Sequence, residues 1–238
     1  MRLFAISDLH LSLGVEKPMD VFGEQWRDHH LKIKENWEKV VSPEDVVILG
    51  GDFSWAMKLE EAREDFAFLN NLPGQKVLLK GNHDYWWQSY AQVKTALPAS
   101  IHALQNNYYH FNDRIALCGT RGWSIPGEGR SSQEDEKVYK RELLRLEMSL
   151  KSARQDGYED CIVTLHYPPF SNRGLKSGFV EIMQFFEVKI CLYGHLHGED
   201  HAKAAEGEIE GITYYFTACD YLSFRPRLID LSVFNAPI

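Results

Sequence analysis

The sequence lacks the features that mark an exported or membrane-inserted chain. Its first apolar run covers residues 3–6 and ends at Ser7-Asp8, whereas a secretory signal needs ~7–15 apolar residues and a membrane helix ~18 or more. Cysteine is scarce as well, with four in 238 residues and no two of them close together in the sequence. We therefore expect buried, reduced thiols in a cytoplasmic protein that makes no membrane contact.

Positive charge is also in short supply. Lysine and arginine total 26 against 34 aspartate and glutamate residues, which gives a net charge of −8. Such a chain is not expected to bind nucleic acid tightly, although a bound metal ion can reverse the local field and attract a phosphate. Neither a repeat of fixed period nor a low-complexity linker interrupts the sequence. One domain over residues 1–238 is therefore the expected organisation.

Short apolar runs of strand length alternate with segments of helical spacing. In chain order, the first elements predicted are a strand at residues 2–6, a helix at 26–40, a strand at 46–49, a helix at 59–69 and a strand at 77–79. Asn112-Asp113 predicts a hairpin turn, and the tail of the chain is rich in predicted strands. This pattern favours a mixed α/β domain built in layers.

Polar side chains able to bind metal follow five of the predicted strands. They are Asp8 and His10 after the first strand, Asp52 after the second, Asn82-His83-Asp84 after the third, His166 after the strand at Cys161, and His195 and His197 after the strand at Lys189. Ligands of α/β sheets bind where the carboxyl ends of strands meet, so we expect these side chains to converge.

The donor set is made of nitrogen and oxygen, without sulfur. Imidazole with carboxylate suits manganese, iron, cobalt, nickel or zinc better than calcium or magnesium, which prefer all-oxygen shells. The set holds more ligands than one ion needs, and two ions that share a bridging carboxylate would use the surplus.

The ordered motifs resemble the calcineurin-like metallophosphoesterase superfamily. They are Asp8-x-His10, Gly51-Asp52, Gly81-Asn82-His83-Asp84, His166 and Gly194-His195-x-His197, which span about four-fifths of the chain. The resemblance implies a four-layer αββα sandwich, with two mixed β-sheets flanked by helices. It also implies hydrolysis of a phosphomonoester or phosphodiester of a small molecule at a dinuclear metal centre.

The resemblance further implies a role for each site residue. The first ion would be held by Asp8, His10 and His197, the second by Asn82, His166 and His195, and Asp52 would bridge the two. His83 would not be a ligand but would protonate or polarise the leaving oxygen. Asp84 would either orient His83 or cap the helix that follows. The identity of the two metals stays open among manganese, iron, zinc, cobalt and nickel.

Two other functions are weighed against this one. A nuclease of the same superfamily is disfavoured by the acidic balance of the chain and by the lack of an obvious basic stripe. A binding module without catalysis would be expected to lack ligands or His83, and here all of them are present.

Several further residues have alternative interpretations. Trp55, Trp86 and Trp87 follow ligand motifs and could line a substrate cleft or belong to the core. One of Arg121, Arg130 and Arg173 could clamp a substrate phosphate, while surface charge is the ordinary alternative. The loops at residues 119–137 and 171–177 are expected to shape substrate specificity.

Overall fold

The computed structural model describes residues 1–127, 132–170 and 176–234. The strands are β1 (Leu3–Ile6), β2 (Val46–Leu49), β3 (Gln75–Leu79), β4 (Ile101–Leu104), β5 (Tyr109–His110), β6 (Ile115–Thr120), β7 (Asp160–Leu165), β8 (Ile190–Tyr193), β9 (Gly207–Ile209), β10 (Ile212–Phe216) and β11 (Arg227–Leu228). The α-helices are α1 (His29–Glu38), α2 (Arg63–Asn71), α3 (Tyr90–Ala96), α4 (Gln133–Gln155) and α5 (Gly178–Phe185). Short 3-10 helices lie at Asp20–Phe22, Glu24–Trp26, Gly198–Lys203 and Ser232–Phe234.

The strands form two mixed sheets. The first has the order β11-β1-β2-β3-β4, and the second has the order β5-β6-β7-β8-β10-β9. Within each sheet the central pairs are parallel, and antiparallel pairing occurs at β1–β11, β5–β6 and β9–β10. The parallel strands of a sheet therefore end at one common edge, as the strand-end argument requires.

The alternation of side chains along the strands separates three layers of core. In β1, Leu3 and Ala5 enter the apolar cluster between the two sheets, whereas Phe4 and Ile6 face the helices that cover the first sheet. Helices α4 and α5 cover the second sheet in the same way, through residues such as Leu146. Because buried strands present apolar groups on both faces, this arrangement confirms the predicted four-layer sandwich.

A short parallel bridge joins the two sheets beyond the ends of their strands. Ser7 pairs with Ala218, with the Ser7 amide donating to the Thr217 carbonyl at 2.8 Å and the Ser7 carbonyl accepting from Cys219 at 3.0 Å. Because Ser7 directly follows β1 and the other partners follow β10, the carboxyl edges of both sheets come together here.

Most predicted elements are present, with informative differences at their ends. The first predicted helix began at residue 26, but α1 begins at His29 because Asp28 adopts a left-handed backbone with φ 50°. Helix α4 begins inside the predicted 119–137 loop, where Ser132 and Asp135 form a capping box. Strands β4 and β9 were not predicted. Of the specificity loops, residues 128–131 and 171–175 lie outside the described residues.

Two smaller expectations can be compared directly with the structure. All four cysteines are buried free thiols, as predicted. Among the described residues, none of the helices combines the length and apolar character needed to cross a membrane.

Candidate metal centre

The ligand residues of the first sheet sit on sharp turns immediately after their strands. Asp8, His10 and Asp52 have φ values of 61°, 46° and 50°, in the left-handed region that non-glycine residues rarely adopt. Backbone hydrogen bonds hold the turns against each other, with the Asp8 amide donating to the Gly51 carbonyl and the His10 amide to the Asp52 carbonyl. Backbone strain is therefore located at the residues whose side chains point into the site.

A glycine is required where two of these turns cross. A Cβ atom placed on Gly51 would lie 2.8 Å from the Cα of Gly81 and 2.8 Å from Nδ1 of His166. Gly51 also has a φ of 99°, which a residue with a side chain would rarely adopt. The Gly-Asp motif therefore has a local steric cause, because its glycine lets His166 and the β3 turn reach the site.

One cluster of metal-binding atoms is formed by Asp8, His10 and His197, all within 4.8 Å of one another. Nε2 of His10 lies 3.4 Å from Nε2 of His197, and that atom lies 3.6 Å from Oδ1 of Asp8. The cluster combines ligands that follow β1 in the first sheet with one that follows β8 in the second.

A second cluster surrounds His166 and shares Asp8 with the first. Nε2 of His166 lies 3.4 Å from Oδ2 of Asp52, 2.7 Å from Oδ1 of Asn82 and 3.2 Å from Nδ1 of His195. Oδ2 of Asp52 is also 3.8 Å from Nε2 of His10. All seven predicted ligands therefore converge, and Asp52 lies between the two clusters.

The donor set fits transition-metal cations. Asp8 and Asp52 are 0% and 2% exposed, and two buried carboxylates side by side require compensating positive charge. Nδ1 of His166 lies 3.1 Å from the Gly50 carbonyl and must donate to it, so in a neutral ring Nε2 would carry no proton and would face oxygens of Asp52 and Asn82 without a hydrogen bond. Cations among these nitrogens and oxygens would resolve both problems.

The lowered pKa values of Asp8 and Asp52 also indicate that positive charge is needed beside these carboxylates. Burial favours the protonated acid, yet the hydrogen bond with His197 and the charge of His166 hold the pKa of Asp8 at about 2. The pKa of Asp52 is likewise lowered, by His166 and His10 against the effect of burial.

The four imidazoles divide into two kinds. Against the effect of burial, Asp52 raises the pKa of His166 to about 9, and Asp220 with Asp8 raises that of His197 to about 10. Burial lowers the pKa of both His10 and His195 to about 4. In the metal-free protein, two protons therefore supply the positive charge that metal ions would bring, and metal binding would release them.

A carboxylate that the sequence analysis missed supports the first cluster. Oδ1 of Asp220 accepts from Nδ1 of His197 at 3.0 Å, so Nε2 of that ring points into the cluster. The other carboxylate oxygen lies 3.1 Å from Nε2 of His201. Asp220 follows β10 after three intervening residues, Thr217, Ala218 and Cys219, so the strand-end signal that found the ligands could also have found it.

His83 lies beside the clusters and not within them. Its ring centroid is 5.8 Å from that of His10 and 4.6 Å from that of Trp55, and its backbone amide donates to Oδ1 of Asp52 at 2.7 Å. Among the described residues its Nδ1 atom has no hydrogen-bond partner. Burial lowers the pKa of this half-buried imidazole.

Within the described parts of the chain no hydrogen bond joins Asp84 to Nδ1 of His83, and the following helix is capped by Ser89. Its carboxylate accepts four hydrogen bonds. Three come from the backbone N–H groups of Phe53 (2.9 Å), Ser54 (3.2 Å) and Gly81 (2.7 Å), and one comes from the indole N–H of Trp86 (2.9 Å). Burial and the charge of Asp52 raise its pKa to about 6. Because its oxygens are already bonded to both ligand turns, Asp84 positions their backbone.

The tryptophans divide between the site and the core. Trp86 and Trp87 are buried in the core of the first sheet. Trp55 belongs to the site, where it stacks on His10 with 4.7 Å between ring centroids.

The arginines do not enter the clusters in the described residues. Arg121 lies 3.7 Å from the buried carboxylate of Glu142 and over the ring of Trp123, so it serves packing on the second sheet. Arg130 and Arg173 lie outside the described residues.

A cavity of about 430 Å³ opens beside the first cluster. His10, His83 and His197 form its floor, and the other described residues that line it include Met19, Phe22, Trp26 and Trp55. Of these four, only Trp55 follows a ligand motif in the sequence, so the other three were not predicted to lie at the site.

Comparisons with known proteins agree with this geometry. The sequence model of the calcineurin-like phosphoesterase family matches residues 1–199. Similar solved structures include phosphopantetheinyl hydrolase from Mycobacterium tuberculosis, with 16% identity, a TM-score of 0.60 and coverage of 100% of this chain and 98% of that chain. A protein of unknown function from Aquifex aeolicus has 18% identity, a TM-score of 0.51 and 95% coverage of both chains. At these identities the structures support the fold. No curated protein is significantly similar in sequence.

Proposed function

This chain belongs to the calcineurin-like phosphoesterase family, and we propose that its metal-dependent phosphoesterase activity uses a dinuclear centre to hydrolyse phosphate esters of small molecules. The observation that supports the proposal best is the convergence of seven side chains from two sheets into two adjoining clusters. Asp52, 3.8 Å from His10 and 3.4 Å from His166, stands between those clusters.

In this proposal each cluster holds one ion. Asp8, His10 and His197 hold the first, Asn82, His166 and His195 hold the second, and Asp52 is shared between them. When bound, such ions polarise phosphoryl oxygens and lower the pKa of a water molecule enough to make it a nucleophile at neutral pH. His10, His83 and His197 line the floor of the cavity, so a phosphate held by the ions would lie there, next to the buried ring of Trp26.

His83 is proposed to handle the proton of the leaving group. Its ring lines the cavity beside the clusters, and the hydrogen bond from its backbone to Asp52 fixes its distance from them. A protonated imidazole there can donate to the ester oxygen that departs, a role that typically contributes ~10²–10⁴-fold to the rate.

The confined cavity favours a small molecule over a nucleic acid. Its volume of about 430 Å³ lies in the range typical of small-ligand sites, ~300–1,000 Å³. The net charge of −8 also disfavours binding of a polyanion. The presence of His83 beside a complete ligand set supports an enzyme over an inactive binding module.

Metal analysis combined with hydrolysis assays tests the proposal. We expect the purified protein to bind two transition-metal ions per chain and to release p-nitrophenolate from p-nitrophenyl phosphate or from its bis ester. A chelator should abolish that activity, and added manganese should restore it. Replacement of His102, an exposed histidine in β4, by alanine is the matched control and should leave metal content and rate unchanged.

Two results would contradict the proposal in different ways. Metal-loaded protein that hydrolyses neither ester with any divalent ion would favour a binding module. Protein that takes up no metal would remove the dinuclear centre itself.

A further inference from the structure

The cavity beside the first cluster has an aromatic and apolar wall that the metal chemistry does not require. Met19 and Trp26 are buried, whereas Phe22 is 58% exposed. The ring of Trp26 lies 5.8 Å from that of His197, so the wall begins directly at the ligands. A phosphate held by the clusters would therefore have its ester substituent inside this cavity.

The aromatic residues of the wall differ in how far their rings are already occupied. His10 stacks on Trp55, Nζ of Lys17 lies 3.9 Å from the centroid of the same ring and the His83 ring lies 4.6 Å away, so this indole already has several close partners. Trp26 meets the rings of His29 and Phe224 edge to face, in addition to those at the metal cluster.

Phe22 is different because its ring makes no ring–ring contact with any residue in the described ranges. It ends the short 3-10 helix Asp20–Phe22, in which no residue is buried. Phe22 therefore presents a large apolar ring, open to solvent, on the lining of the cavity, where a bound ligand would cover it. Binding of a flat apolar group would bury this ring and provide a stacking partner for it.

We infer that this wall binds the organic substituent of the substrate and selects aromatic groups over small aliphatic ones, with Phe22 as the stacking residue. The inference rests on the proposed function for the position of the phosphate. Burying the apolar surface of an aromatic ring favours binding, and an aromatic ester would gain this contribution whereas a short alkyl ester would not.

Binding of two phosphonates, which cannot be hydrolysed, tests the inference without requiring turnover. Isothermal titration calorimetry on the manganese-loaded protein would compare benzylphosphonate with methylphosphonate. We expect benzylphosphonate to bind more tightly to the unchanged protein. The Phe22→Ala variant should weaken benzylphosphonate binding about tenfold and leave methylphosphonate binding unchanged, while Phe22→Tyr, which keeps the ring, should retain most of the preference.

Phe185→Ala is the matched control. Phe185 is 80% exposed and ends α5, close in sequence to the start of β8 and therefore at the edge opposite the metal ligands. This variant should bind both phosphonates as the unchanged protein does. Equal affinity for the two ligands, or equal losses of both in Phe22→Ala, would overturn the inference.

The kinetic counterpart separates a failure of this inference from a failure of the proposed function. Benzyl phosphate and ethyl phosphate have leaving groups of similar reactivity, so a difference in KM between them reports binding by the wall. Hydrolysis of both with the same KM would refute aromatic selection and leave the phosphoesterase intact. Hydrolysis of neither, with the benzylphosphonate preference still present, would refute the proposed function and retain the aromatic site.

Discussion

The floor and the wall of the same cavity are built in opposite ways. The floor, formed by His10, His83 and His197, is continuous with the metal clusters beneath it. The cluster residues Asp8, His10 and Asp52 follow strand ends on strained turns, and Asp8 and Asp52 are almost completely buried. Apart from Trp55, the wall comes from residues 12–28, which contain two 3-10 helices and no β-strand or α-helix. Its residue Phe22 is more than half exposed.

This difference shows how a fold can retain its metal-binding residues while the ligand selectivity of its cavity changes. Each ligand in the floor depends on both sheets and on bonds such as those of Asp84, so a change there disturbs several turns together. The exposed ring of Phe22 has no comparable network, and its replacement leaves the sheets untouched. Catalytic groups on rigid elements and specificity groups on loops are a general division of labour.

The largest loss of activity is expected when the carboxylate of Asp52, which the proposal places between the two ions, loses its charge. We expect Asp52→Asn to lower kcat/KM on the order of 10⁴-fold, because metal ions supply several kcal/mol and each tenfold change in rate corresponds to ~1.36 kcal/mol. Elemental analysis should show metal lost from the variant in parallel. Full metal content with an unchanged rate would show that Asp52 is not shared.

A change at His83 should separate proton transfer from metal binding. We expect His83→Gln to lower kcat by ~10²–10⁴-fold while both ions stay bound. The loss should be larger for an alkyl ester than for p-nitrophenyl phosphate, whose leaving group needs little protonation. A variant with the full rate on both esters would remove His83 from this role.

The boundary between floor and wall contains another buried carboxylate, Asp65. It accepts from the backbone of Leu13 at 2.9 Å and from the hydroxyl of Ser54 at 2.5 Å, so it ties the start of the wall segment to the β2 turn. Burial raises its pKa from 3.8 to about 6. The native state therefore keeps this proton as the pH rises from about 4 to 6, while the unfolded state loses it.

The contribution of Asp65 to the free energy of unfolding should therefore decrease as the pH rises. Relative to Asp65→Asn, which cannot titrate, the free energy of unfolding of the unchanged protein should decrease by about 2 kcal/mol between pH 4 and 7, at ~1.36 kcal/mol per pKa unit and with the unfolded carboxyl already half ionised at pH 4. Urea unfolding of both proteins across this range measures the difference. A constant difference would mean that Asp65 ionises normally.

A smaller effect is expected where Asp220 supports the floor from the second sheet. Asp220→Asn should weaken metal binding by ~10–100-fold, as loss of a carboxylate behind a ligating histidine typically does, because Nδ1 of His197 loses its charged partner. Asp230→Asn removes an exposed carboxylate and serves as the control. Equal metal affinities in the two variants would exclude the positioning role of Asp220.

The candidate metal ligands could be predicted from the sequence because each one follows an apolar run that marks a strand. Apolar runs locate β1, β2, β3, β7 and β8, and the parallel strands of each sheet bring the residues that follow them to one edge. The Ser7–Ala218 bridge, which the sequence does not reveal, then brings the edges of the two sheets together. The role of Asp84 could not be read in this way, since its partners Phe53 and Trp86 are set by how two turns pack. Phe22 lies in a short turn without periodicity, so nothing in the sequence relates it to the ligands.

The bridge between Ser7 and Ala218 has a consequence for how this protein matures. A nascent chain that has left the ribosome up to residue 165 already contains Asp8, His10, Asp52 and Asn82, but it still lacks three of the histidines that complete the clusters. Under the proposed ligand assignment, tight metal uptake would wait until the second sheet has assembled against the first. A chain that ends before His166 would lack ligands of both clusters and would not sequester the ions.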